Sequence, residues 1–420
     1  MLHQPETPSV KDDDRALSRA RRDPGGRPGS PTLAYAGVDL LLTGDRQWKV
    51  IEINDHPVAL AQSRRLCSSD AALECFRQDP FQLLAEQLER HDGGGAVALL
   101  LPECFELARG HRSPSQIRLR EALKFDDNRV DLTISDFNEL SRAIIARGRE
   151  ARICDAAHLR IQHRELYLDG EIVRSLFRRH SGFPRQRVDC FCLNDLRQRA
   201  LCGDKLATHR EIVARLGDVA SIPTFPFEPS ERTLGFLDDC ACRGILVIVK
   251  PKWGSASVGV TRMDAGLALQ HLATHQHERK DLICQPWIAP AVARVHERNF
   301  HFDVRLYVVA GRVVSGFARR AAAPSTGAAS ESPLAWLTTT GPRMTLCSSV
   351  DALTDSSSSP HAILSTDEIA AMTHLAADAT LALSDAGVEM NYESAVETIP
   401  AFHSLADMQP EYQMLQIVEA

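Results

Sequence analysis

A chain of 420 residues is long enough for two or three domains, and its 44% hydrophobic content is ample for packed cores. With 48 basic and 55 acidic side chains the net charge is −7, which argues against a polyanion-binding surface, so local arginine clusters read as specific anion contacts and not as a nucleic-acid face. No apolar run reaches the roughly 18 residues of a membrane span. The 11 cysteines include the C-x-C pairs Cys190/Cys192 and Cys240/Cys242, which lack common zinc spacing; they read as reduced, mostly buried thiols in a cytoplasmic protein. The 16 histidines form no metal-binding pattern.

Residues 1–31 are polar and rich in Arg, Pro and Gly, the composition of a disordered tail, and Asp12-Asp13-Asp14 without an apolar stretch is not a secretory signal. The chain then turns apolar. Ala36 to Leu42 reads as a strand, Thr43-Gly44-Asp45-Arg46 as a turn, and Gln47 to Asn54 as the return strand. Residues 70–91 read as a helix, and Gly93-Gly94-Gly95 as a linker closing a segment 32–95. A second unit opens with a buried strand at Ala96–Leu101. Helical periodicity follows over Asp136–Arg147, then a strand over Glu150–Cys154 and a hairpin around Asp169-Gly170. This alternation favours a small open α/β sheet over 96–190.

Asn194-Asp195-Leu196-Arg197 and Gly203-Asp204-Lys205 then lead into a helical pattern. Ile245–Val249 is a buried strand that ends in Lys250-Pro251, and Gly254, Ser255, Ser257 and Gly259 supply a small loop after it. Backbone N–H groups of such a loop can close over anionic oxygens while the lysine adds a point charge. The alternative is a core strand followed by a Gly-rich turn; the order of a P-loop is absent. Asp281–Ile288 is a second short strand ending in a polar hinge. His301–Arg320 reads as a hairpin turning at Ala310-Gly311, with Arg305 on one arm and Arg319 and Arg320 ending the other. Asp303 shares the face of Arg305 and is placed to orient it, whereas Arg320 points the opposite way; an exposed charged ribbon is the alternative. Ala321–Pro333 and Ser356–Pro360 read as loops, Thr366–Ser384 as a helix, and Ala386-Gly387-Val388-Glu389 as the start of a strand.

A basic residue before a helix, a lysine strand with its loop, a hinge strand and an Arg hairpin, in this order over residues 190–390, resemble the ATP-grasp superfamily near the glutathione-synthetase-like ligases. The resemblance implies two α+β subdomains clasping ATP over 191–420, preceded by the α/β domain at 96–190. It implies that Lys205 and Lys250 contact the phosphates, with Lys252 as a substitute, and that Gln285, Trp287 and Ile288 lie at the adenine edge. The acid that often binds ribose is replaced by Val292, with Glu297 as a stand-in. Arg305 and Arg319 would neutralise a transferring phosphoryl group and an acyl phosphate, for which the planar guanidinium is suited.

In such enzymes a carboxylate followed by Glu-x-Asn supplies oxygen ligands to Mg²⁺. Asp39, Glu52 and Asn54 have this form. A second, shorter version occurs at Glu389 and Glu419, without the Asn. Three readings follow: a tandem array in which residues 32–95 end an earlier unit, a permuted unit in which the N-terminal hairpin completes the grasp, or incidental surface charge. The tandem reading is preferred. It sets the hairpin apart from the site at 205–390 and makes the chain a piece of a longer or mis-split protein.

The resulting expectation is an ATP- and Mg²⁺-dependent ligase joining a small-molecule or peptide carboxylate to an amine or thiol through an acyl phosphate. Neither nucleic acid nor membrane is expected as a partner, and the oligomeric state is open. The rival is a non-catalytic ATP-binding module or pseudoenzyme, favoured by the incomplete second Glu-x-Asn and the missing ribose acid; a scaffold that binds no ATP is a third reading.

Overall fold

The first strand, β1 (Tyr35–Leu42), is apolar except for Asp39, and all 8 of its residues are buried. Such a run requires cover on both faces. A computed structural model of the chain, describing residues 33–67, 74–90, 95–101, 127–179, 183–253, 260–274, 281–295, 298–320 and 364–400, shows how that cover is assembled. A turn with Arg46 at φ 65° leads into β2 (Trp48–Asn54). Two helices follow, α1 (Leu60–Leu66) and the amphipathic α2 (Pro80–Arg90).

Strand β3 (Ala96–Leu100), helix α3 (Asp127–Ala146) and strands β4 (Ala151–Cys154), β5 (Leu159–Gln162), β6 (Glu165–Leu168), β7 (Glu171–Arg178) and β8 (Phe191–Leu193) form one six-stranded sheet. Its order is β4-β3-β7-β6-β5, with β8 on β7, and β3 runs parallel to both β4 and β7. The β6–β7 turn has positive φ at Asp169 and Gly170, as a tight hairpin of this kind requires. The β5 strand was not anticipated. It joins β6 through His163 and Arg164, both at positive φ, a turn that carries no glycine signal.

Helices α4 (Leu196–Gly203) and α5 (Lys205–Leu216) each start at an Asp N-cap: Asp195 accepts from Arg197 N, and Asp204 from Leu206 and Ala207 N. Next come β9 (Phe225–Pro226), α6 (Glu231–Cys242), β10 (Val247–Pro251), β11 (Thr261–Met263), α7 (Ala265–Thr274) and β12 (Leu282–Pro286). The strands form a sheet ordered β11-β10-β12-β9. Val247, Val249 and Cys284 pack against Leu237 of α6 and Ala268 of α7, which leaves the alternate residues Ile248 and Lys250 on the other face.

The last sheet contains β13 (Val292–Val295), β14 (Arg298–Val309) and β15 (Arg312–Arg320), and it takes in the N-terminal hairpin. Its order is β13-β14-β1-β2, with β15 also on β14. Helix α8 (Thr366–Glu389) starts in a Ser365/Glu368 capping box, and α9 (Tyr392–Thr398) follows it. One sheet face, with Val38, Leu40, Val304 and Leu306, packs on Met372, Ala376 and Leu383 of α8 and Ile212 of α5. The other, with Tyr35, Tyr307 and Phe317, packs on Leu84 and Leu88 of α2, Phe137 of α3 and Phe177 of β7.

This topology corrects the expectation that the hairpin sits apart. A lone two-stranded hairpin is marginal in water, and each large apolar side chain of β1 gains roughly 2 kcal/mol by full burial. Pairing with β14 and sandwiching between α8 and α2 supply that burial. A second correction concerns Ala386 to Glu389, which continue α8 and do not start a strand. Gly387 faces Gln198 of α4 so closely that a Cβ would lie 2.0 Å from its Nε2.

Candidate functional site

Register places the charged residues of the sheet in two rows on one face. Glu52 of β2 lies opposite Asp39 of β1, and Asp39 opposite Arg305 of β14; Asp303 lies opposite Arg319 of β15. Arg305 donates Nε and Nη2 to the two oxygens of Asp39, each at 2.6 Å. Arg319 grips Asp303 at 2.5 and 2.9 Å and reaches Asp39 Oδ2 at 3.1 Å. Burial alone would raise the Asp39 carboxyl, but Arg305 and Arg319 outweigh it and hold it at about 2. Burial would likewise lower Arg319, yet the Asp303 and Asp39 carboxylates keep it well above its ordinary value.

Glu52 stands at the edge of this pair. Its Oε1 lies 3.9 Å from Arg305 Nη2 and accepts a hydrogen bond from Asn54 Nδ2 at 3.2 Å. Gly37 opens the adjoining position: a Cβ there would meet Pro57 at 2.6 Å, so only glycine lets the chain after Asn54 cross the sheet this closely.

Two lysines complete the cluster. Lys250 is the penultimate residue of β10 and is 6% exposed. Burial, reinforced by the charge of Lys205 and opposed by Glu52, pushes it down to about 8. Lys205, the first residue of α5, is also lowered by burial, with Glu52 again opposing. Glu52 therefore acts on both lysines from the opposite sheet. The start of α5 is tied to β10 by Lys205 N donating to Lys252 O at 3.1 Å and by Lys252 Nζ on Asp204 at 2.8 Å.

Beside Lys250, β12 pairs with β10 so that Gln285 lies opposite Ile248 and Ile283 opposite Lys250. Gln285 and Lys250 thus share a face. Gln285 Nε2 donates to Thr224 Oγ1 at 2.7 Å. Thr224 N donates to His209 Nε2 at 3.3 Å, so the proton of His209 sits on Nδ1, facing Ser221 Oγ at 3.0 Å. Burial pushes His209 down to about 4, which keeps this link between α5 and the hinge strand neutral. Trp287 N donates to Leu246 O at 2.7 Å, and its ring receives Arg262 at 4.8 Å.

A candidate gamma-glutamylcysteine synthetase from Methylobacillus flagellatus KT has a similar structure, with a TM-score of 0.51 at 15% identity over 89% of this chain and 93% of that one. The chain has the ATP-grasp fold. A RimK domain ATP-grasp protein from Sphaerobacter thermophilus aligns over 53% of this chain and 90% of its own, at 15% identity and a TM-score of 0.28. D-alanyl-alanine synthetase A from Vibrio cholerae aligns over 51% and 67%, at 11% identity and 0.30. No protein-family model matches the sequence, and no curated protein matches it.

In this fold Lys205, Lys250, Glu52, Asn54, Asp39, Arg305 and Arg319 come together from both ends of the sequence. Gln285 adjoins them. Trp287 and Ile288 are half-buried at the end of β12. Lys252 does not face an open loop, since Asp204 takes its ammonium. Asp303 orients Arg319, not Arg305, whose partner is Asp39. Glu389 is elsewhere, 77% exposed at the end of α8 and 3.8 Å from Arg215. Val292 is 43% exposed at the start of β13. Gly254, Ser255, Ser257, Gly259, Glu297 and Glu419 lie outside the described residues, as do the tail 1–31 and the loops at 321–333 and 356–360; the side chain of Arg320 also lies outside them. Sequence reasoning missed Asp204 as the link from α5 to β10. It also missed Asp55, which directly follows Asn54 and is buried beside Arg178 and Arg199. Flanked by Asn54 and His56, Asp55 carried no sequence signal that it would be buried.

Proposed function

We propose that the protein is an ATP- and Mg²⁺-dependent ligase that joins a carboxylate to an amine or thiol through an acyl phosphate. The observation that carries this reading is the buried Lys250 and the half-buried Lys205, both acted on by the Glu52 carboxylate across from them, with the Arg305/Arg319 pair alongside. Two ammonium and two guanidinium groups converging on one place suit a polyanion, and a nucleotide triphosphate is one.

This reading requires a site for a divalent ion. Glu52 and Asn54 are hard oxygen donors on adjacent positions of one face, and Mg²⁺ at phosphate sites commonly takes only one or two carboxylates from the protein. They fit. Asp39 does not, because both of its oxygens are held by guanidinium groups. Glu52 and Asn54 would hold Mg²⁺, whose chemistry there would be to neutralise charge on the phosphates.

The protein's own part is positioning and charge. Lys205 and Lys250 would hold the phosphate chain, and the face of β12 that carries Gln285 would meet the base. Arg305 and Arg319, pre-oriented by Asp39 and Asp303, present rigid donors where charge builds as the carboxylate oxygen attacks phosphorus. Attack by the amine or thiol on the acyl carbon then expels phosphate, and its lost proton passes to solvent. No described helix is long and apolar enough to cross a membrane. The test is calorimetric titration with Mg·ATP followed by ADP release against a carboxylate and amine panel. Saturable binding with stimulated release supports the ligase. Binding without turnover supports an ATP-binding module, and no binding removes both readings.

A further inference from the structure

Immediately past Asn54 the chain buries an acid. The Asp55 side chain is fully enclosed and receives His56 Nδ1 at 2.8 Å, Arg199 Nη1 at 3.1 Å and Arg178 Nη2 at 3.5 Å. Arg178 also donates to the Asp195 carbonyl at 2.7 Å. Asn194 locks the assembly to the sheet: its Nδ2 donates to the Asp55 carbonyl at 2.6 Å, and its Oδ1 accepts from Ala34 N at 3.0 Å. Two guanidinium groups therefore share one carboxylate. The neighbouring acid, Asp195, is committed to Arg197 at 2.6 Å.

Arg199 differs from its neighbours in having one side open. It keeps 22% of its side chain exposed and uses Nη1 on Asp55, while Nη2 has no hydrogen-bond partner among the described residues. Its place in the fold ties this open donor to the proposed site. It lies on α4, which ends one residue before Asp204, the cap of the helix that starts with Lys205; its charge reaches Lys205. Asp55, which holds it, follows the Glu52-Ile53-Asn54 segment directly. A guanidinium fixed by a buried acid, with a free donor beside a reaction centre, suits a planar anion.

We propose that Arg199, held by Asp55, anchors a second carboxylate of the substrate, one that is not activated, so that the ligase takes dicarboxylic acids or amino acids bearing a side-chain carboxylate. This rests on the ligase reading above. The nucleotide's phosphates are already served by Lys205 and Lys250 and do not require this donor. Arg199 is a binding residue, and Asp55 a positioning residue acting through it.

The experiment is calorimetric titration of the full chain, saturated with Mg²⁺ and a non-hydrolysable ATP analogue, with two matched pairs: glutarate against butyrate, and L-glutamate against 4-aminobutyrate. Each pair differs by one carboxylate. The dicarboxylate of at least one pair should bind about 10- to 100-fold more tightly than its partner, the range of a charge-assisted hydrogen bond. Arg199→Met should erase that difference while leaving affinity for the nucleotide analogue unchanged. Arg199→Lys, which keeps a cation beside Asp55 if the methionine variant fails to fold, should retain part of it. No preference for either dicarboxylate in a protein that binds the nucleotide overturns this inference alone. A parallel loss of nucleotide affinity in the Arg199 variants overturns it by placing the guanidinium on phosphate. If the wild-type protein binds no nucleotide, the ligase reading itself falls.

Discussion

Asp39 and Arg305, 266 residues apart in sequence, meet in a two-pronged ion pair across adjacent strands, with each nitrogen 2.6 Å from its oxygen. Asp39 is 2% exposed, so the pair closes the sheet and fixes the face that carries the site. Removing one partner of such a pair leaves the other charge buried, which typically costs about 3–5 kcal/mol. Asp39→Asn should lower stability by that order in urea unfolding. A loss under about 1 kcal/mol would mean that Glu52 takes over Arg305.

The same pair sets an acid limit. The Asp39 carboxyl is depressed to about 2 in the folded protein from about 3.9 in an unfolded chain. A depressed carboxyl stabilises the fold above its unfolded value and loses that contribution as pH falls through the folded one. The stability gap between wild type and Asp39→Asn should therefore be full above about pH 5 and shrink steadily toward pH 2. Unfolding curves across that range check it, and a gap independent of pH would refute the assignment.

Lys250 gives a test at the alkaline end. Its ammonium, lowered to about 8, loses its proton in the free protein as pH rises past that value. A bound polyanion favours the charged form. Mg·ATP affinity should then decline above about pH 8, and binding near pH 8–9 should take up protons. The uptake is read from calorimetry in buffers of different ionisation enthalpy. Lys250→Met should abolish the uptake and weaken binding strongly. Lys252→Met, which breaks only the contact with Asp204, should weaken it mildly.

How much of this was legible in the sequence depended on distance along the chain. Turns with Gly or Asp-Gly exposed the hairpins at 35–54, 165–178 and 298–320, and the apolar run before Lys250 exposed its strand. Alternation also put Glu52 and Asn54 on one face. The partner of β1 was not legible. Periodicity tells which side of a strand is buried but not which strand lies beside it, and β14 follows about 260 residues later. The likeness of Ala386–Glu389 to Ala36–Asp39 was local, and the helix running from Thr366 overrode it. The hold of Asp204 on Lys252 was equally hidden, because one residue does two jobs: Oδ1 caps α5 and Oδ2 pairs the lysine.

The two carboxylate sets can be separated by mutation. Glu52 faces the lysines and Arg305, whereas Glu389 faces solvent and Arg215. Glu52→Gln should abolish Mg²⁺-dependent turnover of ATP while the protein stays folded, because the side chain is at the edge of the buried pair. Glu389→Gln should leave turnover and stability within ordinary surface-mutation limits, about 0.5 kcal/mol. Equal losses of turnover in the two variants would contradict the site described.

The last prediction concerns the joint between the lysine-bearing elements. Gly203 ends α4, and a Cβ at that position would lie 2.4 Å from Cζ3 of Trp253, which follows Lys252. The indole is 4% exposed and packed among Leu196, Ala200, Ala395 and Ile399, so it has little room to retreat. Gly203→Ala should therefore force apart the start of α5 and the end of β10, the two segments joined by Lys205 N and Lys252 O. Overpacking of this kind usually costs about 1–3 kcal/mol. Because Lys205 and Lys250 sit on either side of the joint, Mg·ATP affinity should fall along with stability. Trp253→Leu in the same chain should restore affinity by making space for the methyl group, even though the smaller core is itself less stable. A Gly203→Ala protein with wild-type melting and wild-type affinity would show that the helix end moves freely and that the Gly203–Trp253 contact does not set the spacing of the two lysines.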